Sequence, residues 1–352
     1  MAPRNRALLA VACALGVVDS APAGLYGLAY REQATAATLV LIAPNGTAVP
    51  RGGPLPPELV PSQGLSALDA RAGTLFAVLL NATAQAYALV GVSLEDGAVT
   101  SNVPLPFVVD TFVGLGEYLA LNTLVTPTLA YVGGENADGE HEFASVSAVA
   151  GGDYRRFATL PASFNSFAGG SSVYVPETHS VLVQLNANFT ASPSPPSLLP
   201  SPTPLSAFAL HVFSVSVATG AVRFVNESFD ATGRDIQSLS GFDAVTGHVF
   251  GVGVAALPGG DFLREIVELD PVSLTVRVVG NVTVDTVDDG GITAFNPLHR
   301  SLYWIGDRGA TDEYFLLESS VEAGAALLSR TALCAYDECP ATLDFYAGAG
   351  AG

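Results

Sequence analysis

The residues best equipped to do chemistry are carboxylates and amides set in short loops between apolar runs. The densest such loop is Val284–Gly291, VDTVDDGG, with Asp288 and Asp289 side by side. Loops upstream hold Asp110, Asn165 and Asp235. Hard oxygen donors of this kind suit Ca²⁺, and a Ca²⁺ held by several such loops polarises a carbonyl for hydrolysis. A second reading stands beside this one. Asp and Asn bond the amides of tight turns, and turn acids are expected in a chain whose formal charge is −19. Other chemistries are poorly supplied. There is no G-x-S-x-G, no H-E-x-x-H and no phosphate loop. His141, His179, His211, His248 and His299 fall in separate segments, none with a His or Cys at metal-ligand spacing. The chain has no lysine, which removes amine-based catalysis. With so few cations it is also unsuited to nucleic acid or to anionic membrane surfaces.

The elements that must position these loops are strands. Leu65–Leu80, LSALDARAGTLFAVLL, reads as a strand, a tight turn with Asp69 at its mouth and Gly73 inside it, then a second strand. Relatives recur at Ser171–Val183, Leu239–Val252 and Ile292–Ile305. Six further alternating pairs start at Thr38, Tyr87, Phe143, Leu210, Arg264 and Tyr314, each joined by a turn of Gly, Asn, Asp or Pro. Their turns lie roughly 50 to 55 residues apart, with one longer interval. Helical periodicity is almost absent. One unit is therefore four strands, inner A to outer D, as in Leu65–Asp69, Thr74–Leu80, Tyr87–Leu94 and Ala98–Pro104.

Repeated antiparallel sheets of this kind predict an all-β fold, a six-bladed β-propeller spanning residues 24–352 as one domain. The first unit lacks an A strand, and the last strand, in Ala341–Tyr346, has no blade. Their pairing is expected to close the ring. In such a ring the D–A and B–C loops share one end, and all five candidate ligands are assigned to D–A loops. The Pro/Ser-rich stretch 191–207 cannot enter a ladder and is expected as a B–C insert at that same end. GGENADGEH at Gly133–His141 reads as another polar B–C connection.

Residues 1–23 read as a secretory signal: Arg4 and Arg6, an apolar core at Ala7–Val18, and Ala21-Pro22-Ala23 for cleavage. No later run is long enough to span a bilayer, so the expected product is exported, without membrane insertion. Sequons at Asn45, Asn81, Asn188, Asn226 and Asn281 fit that compartment. Cys334 and Cys339 are expected to pair there, closing a small loop.

At Ser301–Asp307 the chain reads SLYWIGD, preceded by ITAFNPLHR. This resembles the YWTD repeat of low-density-lipoprotein-receptor-type six-bladed propellers, with Tyr303, Trp304 and Asp307 at matching positions. Asp69, Leu75 and Phe76, and Asp243, Val249 and Phe250, keep part of the pattern. The resemblance implies blades. No Cys-rich module and no apolar anchor segment of the kind such receptors carry is read within these 352 residues. Three functions follow from the sequence: a secreted, glycosylated binding module for an extracellular protein or glycan; a Ca²⁺-dependent hydrolase, as in lactonase-like propellers; and a coat or matrix component.

Overall fold

The computed structural model describes residues 12–13, 25–31, 36–42, 47–107, 118–149, 152–160, 171–186, 210–225, 234–256, 262–282, 293–297, 299–308, 313–322, 324–335 and 343–346. Among them there is no helix. A two-residue strand, β1 (Ala12–Cys13), lies on the edge of β2 (Leu25–Arg31), which continues into β3 (Thr38–Ile42) and β4 (Ala48–Pro54). Blade two is β5 (Leu59–Asp69), β6 (Thr74–Asn81), β7 (Ala86–Ser93) and β8 (Val99–Pro104). Blade three is β9 (Tyr118–Asn122), β10 (Leu129–Glu135), β11 (His141–Ser147) and β12 (Tyr154–Leu160). Blade four is β13 (Ser172–Val175), β14 (Ser180–Asn186), β15 (Leu210–Ser216) and β16 (Val222–Phe224). Blade five is β17 (Arg234–Asp243), β18 (His248–Ala256), β19 (Phe262–Asp270) and β20 (Thr275–Val282). Blade six is β21 (Thr293–Asn296), β22 (Ser301–Arg308), β23 (Glu313–Ser320) and β24 (Leu327–Ala335).

The last strand, β25 (Leu343–Tyr346), pairs antiparallel with β2 from Leu28↔Tyr346 to Arg31↔Leu343. It supplies blade one with its inner strand. The chain is thus a six-bladed β-propeller of four-stranded antiparallel sheets, closed by its C-terminal strand.

The core lies between blades, not within them. Successive side chains of a strand point to opposite faces. On β6, Leu75, Ala77 and Leu79 face blade one and meet Tyr26, Leu28 and Leu39. Phe76 and Val78 face blade three and meet Leu119, Val132 and Val146. The pattern repeats round the ring, down to Phe250 stacked on Phe295 at 5.6 Å, beside Trp304. Each large apolar side chain buried in this way contributes roughly 1.5–3 kcal/mol. That is why the B and C strands are apolar on both faces.

The turns bind blade to blade at the A–B/C–D end. Asp69, Asn122, Asp243 and Asn296 each end an inner strand. Each accepts a turn amide: Ala72 N–H at 2.9 Å, Leu124 N–H at 3.1 Å, Val245 N–H at 3.0 Å and His299 N–H at 3.2 Å respectively. Three of them also reach the next blade. Asp69 accepts the Thr128 hydroxyl, Asn122 donates to the Tyr174 hydroxyl at 3.3 Å, and Asp243 pairs with Arg300 at 3.2 Å. Farther out, glycines at positive φ allow C–D turns to touch the preceding D strand. A Cβ at Gly97 would lie 2.1 Å from the Arg51 carbonyl oxygen, and one at Gly220 would lie 2.2 Å from that of Phe157.

Asp243→Ala removes the turn acceptor and the buried carboxylate that Arg300 pairs with, leaving it only the exposed Glu322 at 3.8 Å. It is expected to lower the unfolding free energy by about 2–4 kcal/mol, measured by urea denaturation. Asp243→Asn keeps an acceptor for the turn and should cost less. A change below about 0.5 kcal/mol for the alanine variant, the range of an indifferent surface site, would show that these bonds do not hold the blades.

Candidate functional site

Chain direction puts the starts of the A and C strands, and the ends of the B and D strands, at the D–A/B–C end. Of the five residues expected to gather there, Asp235 is described; Asp110, Asn165, Asp288 and Asp289 lie outside the described residues. Asp235 is not in a loop. It is the second residue of β17, paired with Val254. The inner strand of blade five runs longer than the apolar pattern implies because it carries two irregularities, at Ile236/Ser238 and Leu239/Gly241. Each such bulge inserts an unpaired residue and re-aims its neighbours.

The charges around Asp235 are arranged in pairs. Arg234 Nε lies 3.2 Å from both carboxylate oxygens of buried Glu265. Arg264 donates to the Gln237 side-chain oxygen. Strand alternation puts Asp235 on the face opposite Arg234. Among the described residues no three His, Cys, Asp or Glu side chains come together as a metal cage.

The β10–β11 connection is a built loop. Asn136 Oδ1 accepts the Asp138 N–H at 3.0 Å and the Glu140 N–H at 3.1 Å. Its backbone N–H donates to the Glu140 carbonyl at 2.9 Å, and its carbonyl accepts the Gly139 N–H at 3.0 Å. Its Nδ2 reaches Glu142 at 3.5 Å. Glu142 is buried, accepts the Tyr154 hydroxyl and pairs with Arg156 at 3.3 Å. Burial, with the Glu142 contact second, raises the Tyr154 phenol, so it remains a proton donor. His141 starts β11 with its side chain buried and no partner at Nδ1. Burial pushes its pKa down to about 4.

Sequence reasoning missed the polar neck of blades four to six. The Ser171 hydroxyl donates to Gln184 at 2.9 Å and accepts the Leu239 N–H at 2.6 Å. Gln184 donates to the Ile236 carbonyl. Ser238 and Ser240 bond the Thr293 hydroxyl at 2.9 and 2.7 Å. The signal was present as Ser238, Ser240 and Thr293 on inner strands and Gln184 on the second strand of blade four, at positions that should read apolar. These hydroxyls are committed to one another, so the neck is a hydrogen-bonded seam. The remaining histidines pair at the opposite end: His179 with the Tyr174 hydroxyl at 2.8 Å, His248 with Glu268, and His299 at 4.0 Å from Glu318. Of His211 the backbone alone, in β15, is described.

Two of the five sequon asparagines are described, and both stand at the D–A/B–C end. Asn81 closes β6 and accepts the Thr83 and Ala84 amides at 3.1 and 2.9 Å through Oδ1. Asn281 is exposed near the end of β20. Asn45, Asn188 and Asn226, Cys339 and the stretch 191–207 lie outside the described residues; of Cys334 the backbone alone, in β24, is described.

No family model matches the chain, and no curated protein matches it in sequence. The likeness to the YWTD class therefore rests on Tyr303, Trp304 and Asp307. Solved structures with a similar trace include the WD40 domain of SCAP from fission yeast, at 11% identity over 89% of this chain and 67% of that one, with TM-score 0.42. Cobalt-substituted Synechocystis ACO shares 12% identity over 90% of this chain and 73% of that one, with TM-score 0.46. An oligogalacturonate lyase in complex with manganese shares 13% over 89% and 85%, with TM-score 0.42. None of these likenesses bears on activity.

A free histidine titrates near 6.5, and folded His141 near 4. As pH falls, the unfolded chain takes up the proton first. The stability contribution of His141 is therefore complete above pH 6.5 and is lost between about 6.5 and 4, a loss of about 3 kcal/mol. Denaturation at pH 7, 5.5 and 4.5 should show this steepness in the native chain. It should be reduced in His141→Gln; equal slopes would contradict the assignment.

Proposed function

We propose that the chain is an exported, N-glycosylated binding module that holds an extracellular protein or glycan at the D–A/B–C end of the ring. The observation that carries this reading is the Asn136 loop. Its five bonds hold it in one shape, while Asp138 is turned to solvent. A loop ordered before binding loses less entropy on binding. The neighbouring ionic groups are already paired, which favours recognition over proton transfer. The stretch 191–207, read as a second B–C insert, would widen the same end.

The sequons agree with this compartment. At Asn81 the turn occupies Oδ1, which leaves the amide nitrogen, the glycosylated atom, outside those bonds. Asn281 is exposed on an outer strand.

Full-length protein secreted from eukaryotic cells should lose mass on N-glycosidase treatment. Asn81→Gln and Asn281→Gln should each remove one glycan increment; an unchanged mass would refute the export reading. Binding is tested on immobilised glycans and purified extracellular proteins. Asn136→Ala should weaken the selected partner by about tenfold, mainly through faster dissociation. A partner held equally well by Asn136→Ala and by a deletion of residues 191–207 would move the binding end elsewhere.

A further inference from the structure

A cavity of about 400 Å³ opens at the other end of the ring, between blades two and three. This is within the range of small-ligand sites, roughly 300–1,000 Å³. Its walls come from the A–B turns of both blades, the start of β8 and the C–D turn of blade three.

The repeat explains why it exists. In blade six, Asn296 pairs with Ser301; two residues on, Tyr303 pairs with Glu318, and Glu318 with Ser329. The Glu318 carboxylate fills the space, accepting the Ser301 hydroxyl at 2.7 Å and the Ser329 hydroxyl at 3.2 Å. In blade five the same register gives Asp243–His248 and Phe250–Glu268–Arg277, and the Glu268 carboxylate takes His248 and Arg277. In blade two the register is Asp69–Thr74 and Phe76–Gly91–Ser101. Glycine stands where blades five and six hold glutamate and where blades three and four hold Ser145 and Ser214. A Cβ there would lie 2.6 Å from Ser101 Oγ, 2.9 Å from Thr100 Oγ1 and 3.0 Å from Phe76 Cε1, all three in residues that line the cavity. The Ser101 hydroxyl, the counterpart of Ser329, is 7% exposed and has no hydrogen-bond partner.

A cation marks the mouth. Arg71 Nη2 donates to the Thr126 hydroxyl at 2.7 Å, and Arg71 has no ion-pair partner among the described residues. The turn itself does not require it, because Val245 occupies that position in blade five. We propose that this cavity binds a small hydroxylated carboxylate of sugar-acid type, whose carboxylate takes the place that Glu318 and Glu268 fill in their blades. Ser101 and Arg71 donate to that carboxylate. Thr100, Thr126 and the free lone pairs of Asp69 serve the hydroxyls, and Phe76 with Val125 covers the carbon chain. The site is independent of the opposite end and of whatever binds there.

Calorimetric titration of the full chain with D-glucuronate, D-gluconate, glucose and acetate tests the proposal. One or both sugar acids should bind, more tightly than acetate, and glucose should not. Arg71→Gln should weaken binding by about tenfold, with partial recovery in Arg71→Lys, and Ser101→Ala by several-fold. Gly91→Glu supplies the missing carboxylate internally and should abolish binding. Arg71→Gln and Ser101→Ala keep the test decisive if Gly91→Glu fails to fold. Binding of neither sugar acid, equal binding of glucose, or full affinity in folded Gly91→Glu or in Arg71→Gln would each overturn the proposal.

Discussion

No sheet in this molecule has a core of its own. Each blade is one layer thick, and both its faces must be covered by neighbours before any strand is dry. Tyr26 and Leu39 are buried by blade two, Phe76 and Val78 by blade three, and Phe250 by blade six. The consequence is a closed ring. An open row of such sheets would leave two apolar faces in water and an unpaired edge at β2. The pairing of β25 with β2 is therefore a condition of every other burial in the ring. The same constraint frees the loops. Because burial is settled between strands, the connections at either end vary in length and composition without altering the core.

The two ends of the ring are built differently, and the reason lies in the inner strands. At the A–B/C–D end, Asp69, Asn122 and Asp243 fix their own turns and reach the next blade. These bonds set the angle between blades with polar groups that are almost fully buried and therefore cannot be left unmatched. At the other end, blades four to six are joined by the Gln184–Ile236, Ser171–Leu239 and Ser238–Thr293 contacts and by a bulged β17. A bulged edge pairs less regularly and directs side chains out of the plain alternation, which is how Arg234 meets Glu265 across the sheet while Gln237 meets Arg264.

Much of this was legible in the sequence because burial on both faces leaves a mark. Leu75–Leu80 is apolar at every position, flanked by an Asp turn and a polar loop, and that combination recurs. Blade count, strand order and ring closure follow from it. The turn role of Asp69 and Asp243 was also readable; their reach into the next blade was not, since Thr128 and Arg300 lie 59 and 57 residues away. Asp235 shows the limit most clearly. Its surroundings, with acids and an arginine after a glycine, look like a loop, and a bulge adds residues to a strand without changing its composition. Glu265 and Glu268 stand three apart on one alternating strand, hence on opposite faces, yet both are buried, held by partners from different strands.

Gly91 belongs to a further class, invisible in either the sequence or one blade taken alone. Glycine in a strand is usually explained by a bulge or a close backbone approach. Here the crowding atoms are the hydroxyls of Ser101 and Thr100 and the ring of Phe76, all of them side chains. The register shared by blades two to six places Ser145, Ser214, Glu268 and Glu318 at the equivalent positions, and a glutamate in two of them. Glu268 and Glu318 demonstrate that the framework accommodates a carboxylate at this position and surrounds it with donors. Blade two retains the donor at Ser101 and omits the acid. A buried hydroxyl without a partner is costly, whereas replacing Ser101 with an apolar residue would remove that cost at no loss to the ring. In a repeat protein the neighbouring copies act as internal controls. Where one copy lacks a carboxylate that two others hold and keeps a hydroxyl that serves it in one of them, the departure points to the chemistry that would fit the gap.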